Sequence, residues 1–119
     1  MPSPTIARRD YPSLDTLHET RRRARERAAR ASALVVLRYL RARGVRAGVF
    51  GSLASGRFKL HSDVDFIVLE CPSALRYGIE ADVEDRMRGI PFDVVYADEM
   101  REPCRSRALA ALRDESAFR

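Results

Sequence analysis

The sequence predicts an α/β fold whose elements follow in the order helix, strand, short helix, strand, helix, strand, helix. A run over residues 14–43 contains neither proline nor glycine and ends at Gly44, which is typical of one long helix. Three short segments rich in β-branched and aromatic residues are bounded by glycine, proline or aspartate, as strands are. We therefore expect three strands separated by helical segments.

The first helix follows residues 1–13, which hold three prolines and which we interpret as a flexible N-terminal arm. The rest of the chain, 14–119, is expected to be a single domain. In the second half of the helix, the apolar side chains recur at i, i+3, i+4 and i+7, which predicts a core-facing stripe. These residues are Ala33, Val36, Leu37 and Leu40.

The first half of this helix is strongly basic and has only alanines between its charges. Such a segment buries little, so it is either solvated or docks on a partner or a phosphate-bearing ligand. Sequence-specific recognition of nucleic acid is disfavoured, because no aromatic, asparagine or glutamine side chains interrupt the charges. The arginines are Arg21, Arg22, Arg23, Arg25, Arg27 and Arg30.

The next elements are a strand over 45–50, a glycine-serine turn and a short helix that closes at Gly56. Glycine lets backbone N–H groups approach a ligand closely, and a helix N-terminus favours negative charge. Gly51 and Ser52 are therefore candidates for binding phosphate.

The second strand is expected over 63–69 and begins with Asp63 and Asp65. Side chains at i and i+2 of a strand lie on one face. Two neighbouring carboxylates repel each other unless a cation lies between them, and Mg²⁺ prefers oxygen ligands. The spacing predicts a metal site facing the glycine turn, although an isolated D-x-D pair also occurs at solvated strand ends.

A helix over 73–88, a third strand over 90–97 and a last helix over 103–114 complete the chain. Asp93 lies inside the third, apolar strand. Burying a lone carboxylate is costly, so this position indicates contact with a cation or an acidic cluster. The alternative is an exposed aspartate on an edge strand.

Composition restricts the class of protein. The 119 residues, 45% hydrophobic and 33% charged, are typical of one soluble domain, and no apolar run approaches the ~20 residues that span a bilayer. With no secretory signal at its start, we expect a cytoplasmic protein with no membrane partner. The net charge of +5 comes from residues 1–47, which hold twelve arginines and four acids. Two cysteines are too few for a disulfide framework.

The glycine turn and the aspartates together resemble the signature of the DNA polymerase β-like nucleotidyltransferases, most closely the minimal nucleotidyltransferase (MNT) group. The resemblance covers about residues 34–112 and is carried by G-S-L-A-S-G at 51–56 and S-D-V-D at 62–65. It implies a small mixed sheet with helices packed on one side. Ser55 departs from the pattern, since many members carry arginine there.

The resemblance also implies site residues. Asp63, Asp65 and Asp93 would be the catalytic, metal-binding carboxylates for two Mg²⁺ ions. ATP would be the substrate, bound through the segment that contains Gly51, Ser52, Gly56 and Arg57.

MNT proteins pair with HEPN ribonuclease toxins, so the resemblance implies an antitoxin that transfers AMP from ATP to a tyrosine hydroxyl of such a toxin. The small size of the chain fits an acceptor supplied by a partner protein. Two alternatives stay open, a non-catalytic nucleotide-binding subunit that inhibits its partner by docking and a small-molecule nucleotidyltransferase subunit.

Overall fold

The computed structural model describes residues 13–119, so the arm expected over 1–13 lies outside the described residues apart from Ser13. Four α-helices and three strands follow in the expected order. They are α1 (Leu14–Ala42), β1 (Arg46–Phe50), α2 (Gly51–Ser55), β2 (Val64–Glu70), α3 (Ile79–Met87), β3 (Phe92–Tyr96) and α4 (Cys104–Ala110).

Two of the expected helices are shorter in the structure. The helix expected over 73–88 is divided into a 3₁₀ turn, Ser73–Leu75, and α3, because Arg76 is extended and Tyr77 has a φ of 67°. The helix expected over 103–114 ends at Ala110. Beyond it, Arg113 pairs with Val49 through two reciprocal backbone hydrogen bonds of 2.9 Å, so the chain leaves the helix to extend the outer edge of β1.

The three strands form a mixed sheet in the order β1-β2-β3. β1 is antiparallel to β2, whereas β2 and β3 are parallel and are joined by the crossover that contains α3. In this register Asp65 lies beside Phe50 on one side and Asp93 on the other. The small mixed sheet expected from the sequence is confirmed.

The main core fills the space between one face of the sheet and the helices α1 and α3. All four residues of the expected stripe on α1 are buried, and they meet Val64, Phe66 and Val68 of β2. The opposite face is covered in part by a smaller cluster in which Ile67 packs with Ala108 of α4. Alternation along β2 places Asp65 on this second face, away from the main core.

The basic first half of α1 is attached to its own domain, an arrangement that the sequence did not suggest. Nη1 of Arg22 donates to the backbone carbonyl oxygen of Phe58 at 3.0 Å and to Glu26 at 2.6 Å. Its Nε and Nη2 donate to the carboxylate of Glu19. The helix itself begins where the hydroxyl of Ser13 accepts from the backbone N–H of Thr16.

Within residues 13–119, no helix combines the length and the apolar character needed to cross a membrane. Cys71 and Cys104 are both free cysteines.

Candidate active site

Gly51 joins β1 to α2 and has a φ of 74°, a conformation that disfavours any other residue. It also leaves no room for a side chain. A Cβ atom there would collide with Oδ2 of Asp65 and would lie 3.3 Å from its Cγ. The glycine therefore allows the carboxylate of Asp65 to pack directly against the turn. This packing requires glycine at position 51 in addition to the access that glycine gives a ligand to the backbone.

The short helix α2 closes tightly around the carbonyl oxygen of Ser52. This oxygen accepts from the backbone N–H of Arg57 at 2.9 Å and from the hydroxyl of Ser55 at 3.2 Å. Gly56, with a φ of 78°, provides the left-handed residue that ends the helix. The Ser55 hydroxyl is thus used inside its own turn, while the side chain of Arg57 is exposed beside it.

Three carboxylates converge at the end of the sheet next to this turn. Asp65 lies on β2, in register with Asp93 on β3, and Asp63 precedes β2 by one residue. Asp65 is half-buried, whereas Asp63 and Asp93 are exposed. Parallel register, rather than burial inside the strand, is therefore what brings Asp93 to the site, because β3 is the edge strand of the sheet.

The three charges interact. The pKa of Asp65 is raised above its ordinary value of 3.8, first by burial, then by the negative charge of Asp93 and then by that of Asp63. A half-buried carboxylate beside two others is unfavourable by itself, so positive charge placed among them would be stabilising.

The donor set fits a divalent cation, although it is not already closed around one. Within residues 13–119, no three histidine, cysteine, aspartate or glutamate side chains are close enough together to enclose a metal ion. Asp63 and Asp93 are exposed, so rotation of their side chains toward Asp65 meets little packing. Asp63, Asp65 and Asp93 all offer carboxylate oxygens, which are the ligands that Mg²⁺ prefers.

The first half of α1 and the loop before Asp63 line an open cleft of about 420 Å³. Its lining residues are Asp15, His18, Glu19, Arg22, Leu60 and His61. The loop is held in place by Arg22 and by the Ser62 hydroxyl, which accepts from the backbone N–H of Lys59 at 2.9 Å.

The role of Arg22 can be predicted from the sequence only in part. Its spacing to Glu19 and Glu26, three and four residues away on one helix face, predicts the ion pairs. No sequence signal predicts the bond to Phe58, because its acceptor is a backbone carbonyl that lies 36 residues away.

Comparison with known proteins agrees with this geometry. The family model of the nucleotidyltransferase domain matches residues 35–114, which include the glycine turn and all three aspartates. No functionally curated protein shows significant similarity to the chain.

Among solved structures, one assigned to the minimal nucleotidyltransferases superimposes with a TM-score of 0.55 at 23% identity, covering 87% of this chain and 96% of that one. At this identity the likeness concerns the fold. The match to the family model extends over most of the chain, and the protein therefore belongs to the nucleotidyltransferase domain family, with the fold of the minimal nucleotidyltransferases.

Proposed function

We propose that this nucleotidyltransferase is an antitoxin that transfers AMP from ATP to a tyrosine hydroxyl of a partner HEPN ribonuclease toxin and so neutralises it. The observation that carries the transfer step is the register of Asp65 with Asp93 beside the Gly51 turn. A protein that only docked on its partner would have no need of this arrangement.

In this proposal the triphosphate lies along the turn that begins at Gly51 and Ser52 and ends at Gly56. The exposed guanidinium of Arg57 offsets its negative charge. Asp63, Asp65 and Asp93 would hold divalent cations, expected to be two Mg²⁺ ions, which neutralise the triphosphate and stabilise the attacking and leaving oxygens.

The transfer is an in-line displacement at the α-phosphorus. The acceptor oxygen forms a bond to this phosphorus as the bond to the bridging oxygen breaks, and the electron pair leaves with pyrophosphate. Asp93 accepts the proton of the acceptor hydroxyl, a role supported by its exposure at the sheet edge, where an acceptor can approach.

A protein acceptor is supported by the openness of this edge. Asp63 and Asp93 both face solvent, so a tyrosine that projects from another protein could reach them without entering an enclosed cavity.

The test is the intact mass of a HEPN toxin after incubation with this protein, ATP and Mg²⁺. We expect a gain of one or more AMP units, and no gain with the Asp63→Asn variant. A toxin that is inhibited but unmodified would support the second candidate, inhibition by docking, which is favoured by the exposed length of α1.

A further inference from the structure

The side of α1 that faces away from the sheet carries a regular seam. Nine positions alternate in steps of three and four residues, the 3.5-residue repeat along which two helices pack. We call these positions the outer seam, and all of them are exposed. They are Leu14, Leu17, Arg21, Ala24, Ala28, Ala31, Val35, Arg38 and Ala42.

The outer seam is apolar at seven of its nine positions, although the face of a solvated helix is normally polar. Leu14 is 67% exposed and Val35 is 52% exposed. Of the four large apolar side chains exposed within residues 13–119, three lie on this seam. The helix therefore carries two apolar stripes, one buried in its own core and one whose apolar side chains are exposed, while Arg38 near the end of the seam lies 3.8 Å from the carboxylate of Glu115.

Apart from Glu115, which pairs with Arg38 and Arg41 near the C-terminal end of α1, the charges on and beside the seam have one sign. Asp15, Glu19 and Glu26, the only acids of α1, lie on the side that faces the domain, and the last two pair with Arg22. On the outer side, Arg21 and Arg27 are exposed, and no carboxylate within residues 13–119 pairs with either.

This charge pattern indicates which kind of partner can bind the outer seam. A second copy of the chain would place arginines against arginines, which disfavours self-pairing along this seam, whereas acidic side chains would be complementary. Residues 1–12 hold two arginines and one aspartate, so they do not supply the complement either.

The size of the seam residues also matters. Three alanines occupy the centre of the seam, and small side chains allow the backbone of another helix to approach closely. A helix that inserts into a lipid surface presents bulky Leu, Phe or Trp side chains instead. From Leu14 to Ala42 the seam extends about 42 Å at ~1.5 Å per residue, long enough for a partner helix of similar length.

We infer that the outer seam of α1 binds an acidic amphipathic helix of a protein partner. The inference deepens the proposed function, on which it rests for the existence of a protein partner, by naming the surface and the chemistry of their contact.

Two synthetic 28-residue helical peptides test the inference. Both carry Leu and Ala at the seam-facing positions, and one has Glu and the other Lys at the flanking positions. We expect the Glu peptide to bind at least ten-fold more tightly by fluorescence anisotropy, with an affinity that falls as salt is added. Ala28→Glu should weaken this binding at least ten-fold, because it places a bulky acid in the centre of the seam. Ala81→Glu, the same change at an exposed position of α3, should leave binding unchanged.

Three outcomes would overturn the inference. They are equal binding of the two peptides, a dimer in sedimentation that Ala28→Glu dissociates, and binding to phosphatidylserine vesicles with no binding to the Glu peptide. Failure of the inference is distinguishable from failure of the proposed function. A toxin that gains AMP although the Glu peptide does not bind contradicts only the seam, and a bound peptide with an unmodified toxin contradicts only the transfer.

Discussion

The absence of a side chain at Gly51 is what allows Asp65 to occupy its position. The carboxylate of Asp65 fills the space where a Cβ atom of residue 51 would lie, with Cγ of Asp65 only 3.3 Å from that point. The two residues are fourteen positions apart, Gly51 at the start of α2 and Asp65 on β2, so the turn and the central carboxylate of the site pack as one unit.

This contact distinguishes Gly51 from Gly56, although the two glycines have similar backbone conformations. Gly51 and Gly56 have φ angles of 74° and 78°, but a Cβ at Gly56 would meet nothing within 4 Å. Gly56→Ala should therefore cost only the backbone strain, about 1–2 kcal/mol. Gly51→Ala should cost about 1–3 kcal/mol more, since it also displaces Asp65. Urea unfolding of both variants measures the difference, and equal losses of stability would contradict the contact.

Asp65 should reduce the stability of the fold at neutral pH. Its pKa is raised above 3.8 in the folded state, so the unfolded chain loses the proton first as pH rises, and stability falls over that range. Asp65→Asn should therefore be more stable than the wild type at pH 7, with the gain vanishing below about pH 4, near the ordinary pKa of an aspartate. Thermal unfolding across this pH range measures the difference in stability. Asp63→Asn, at an exposed position, is the control and should show a smaller difference. A less stable Asp65→Asn protein at pH 7 would contradict the repulsion among the carboxylates.

The same substitutions should abolish transfer. Asp63→Asn and Asp65→Asn each remove a charge at nearly constant volume, so Mg²⁺-dependent nucleotide binding should weaken while circular dichroism stays unchanged. Calorimetric titration with ATP, with and without Mg²⁺, measures this. Wild-type turnover in either variant would exclude these residues as metal ligands.

Asp93 should behave differently from the other two aspartates. Asp93→Asn should lower the transfer rate far more than the affinity for ATP, because its proposed contact is with the acceptor hydroxyl. Stability should change by no more than ~0.5 kcal/mol, since the residue is exposed. Single-turnover rates and ATP affinity, measured on the same preparation, separate the two effects. A loss confined to affinity would make Asp93 a nucleotide-binding residue.

The strands and the core-facing stripe of α1 could be predicted because each depends on local periodicity, and Val36 and Leu40 are buried as expected. The ends of the helices could not be predicted as well, because they depend on distant contacts. Arg113 leaves the region expected to be helical in order to pair with Val49, and such a distant contact overrides local propensity.

Only part of the candidate site could be predicted from the sequence, because only part of it depends on residues that are close along the chain. Asp63 and Asp65 are close in sequence, so strand alternation places them together. The position of Asp93 beside Asp65 depends on the parallel register of β2 and β3, which only the complete sheet defines. The collision that excludes a side chain at Gly51 likewise involves atoms of two separate elements.

Arg22 connects the basic half of α1 to the loop that leads to Asp63, so replacing it should affect both elements. Arg22→Gln should lower the stability of the fold, because it leaves Glu19, Glu26 and the carbonyl oxygen of Phe58 without their shared donor. The loop over 57–62 should also exchange its amide hydrogens faster. Arg21→Gln is the matched control, since this neighbouring arginine is exposed and should contribute within ~0.5 kcal/mol.

Hydrogen exchange at pH 7 is suitable for this comparison. The pKa of Glu19 is lowered to about 2, chiefly by its hydrogen bond from Arg22, so this carboxylate is ionised at pH 7. If the helix holds the loop, ATP affinity should fall in Arg22→Gln and not in Arg21→Gln, because a loosened loop no longer fixes the position of Asp63. Identical exchange of the loop in the two variants would show that Arg22 stabilises the helix alone.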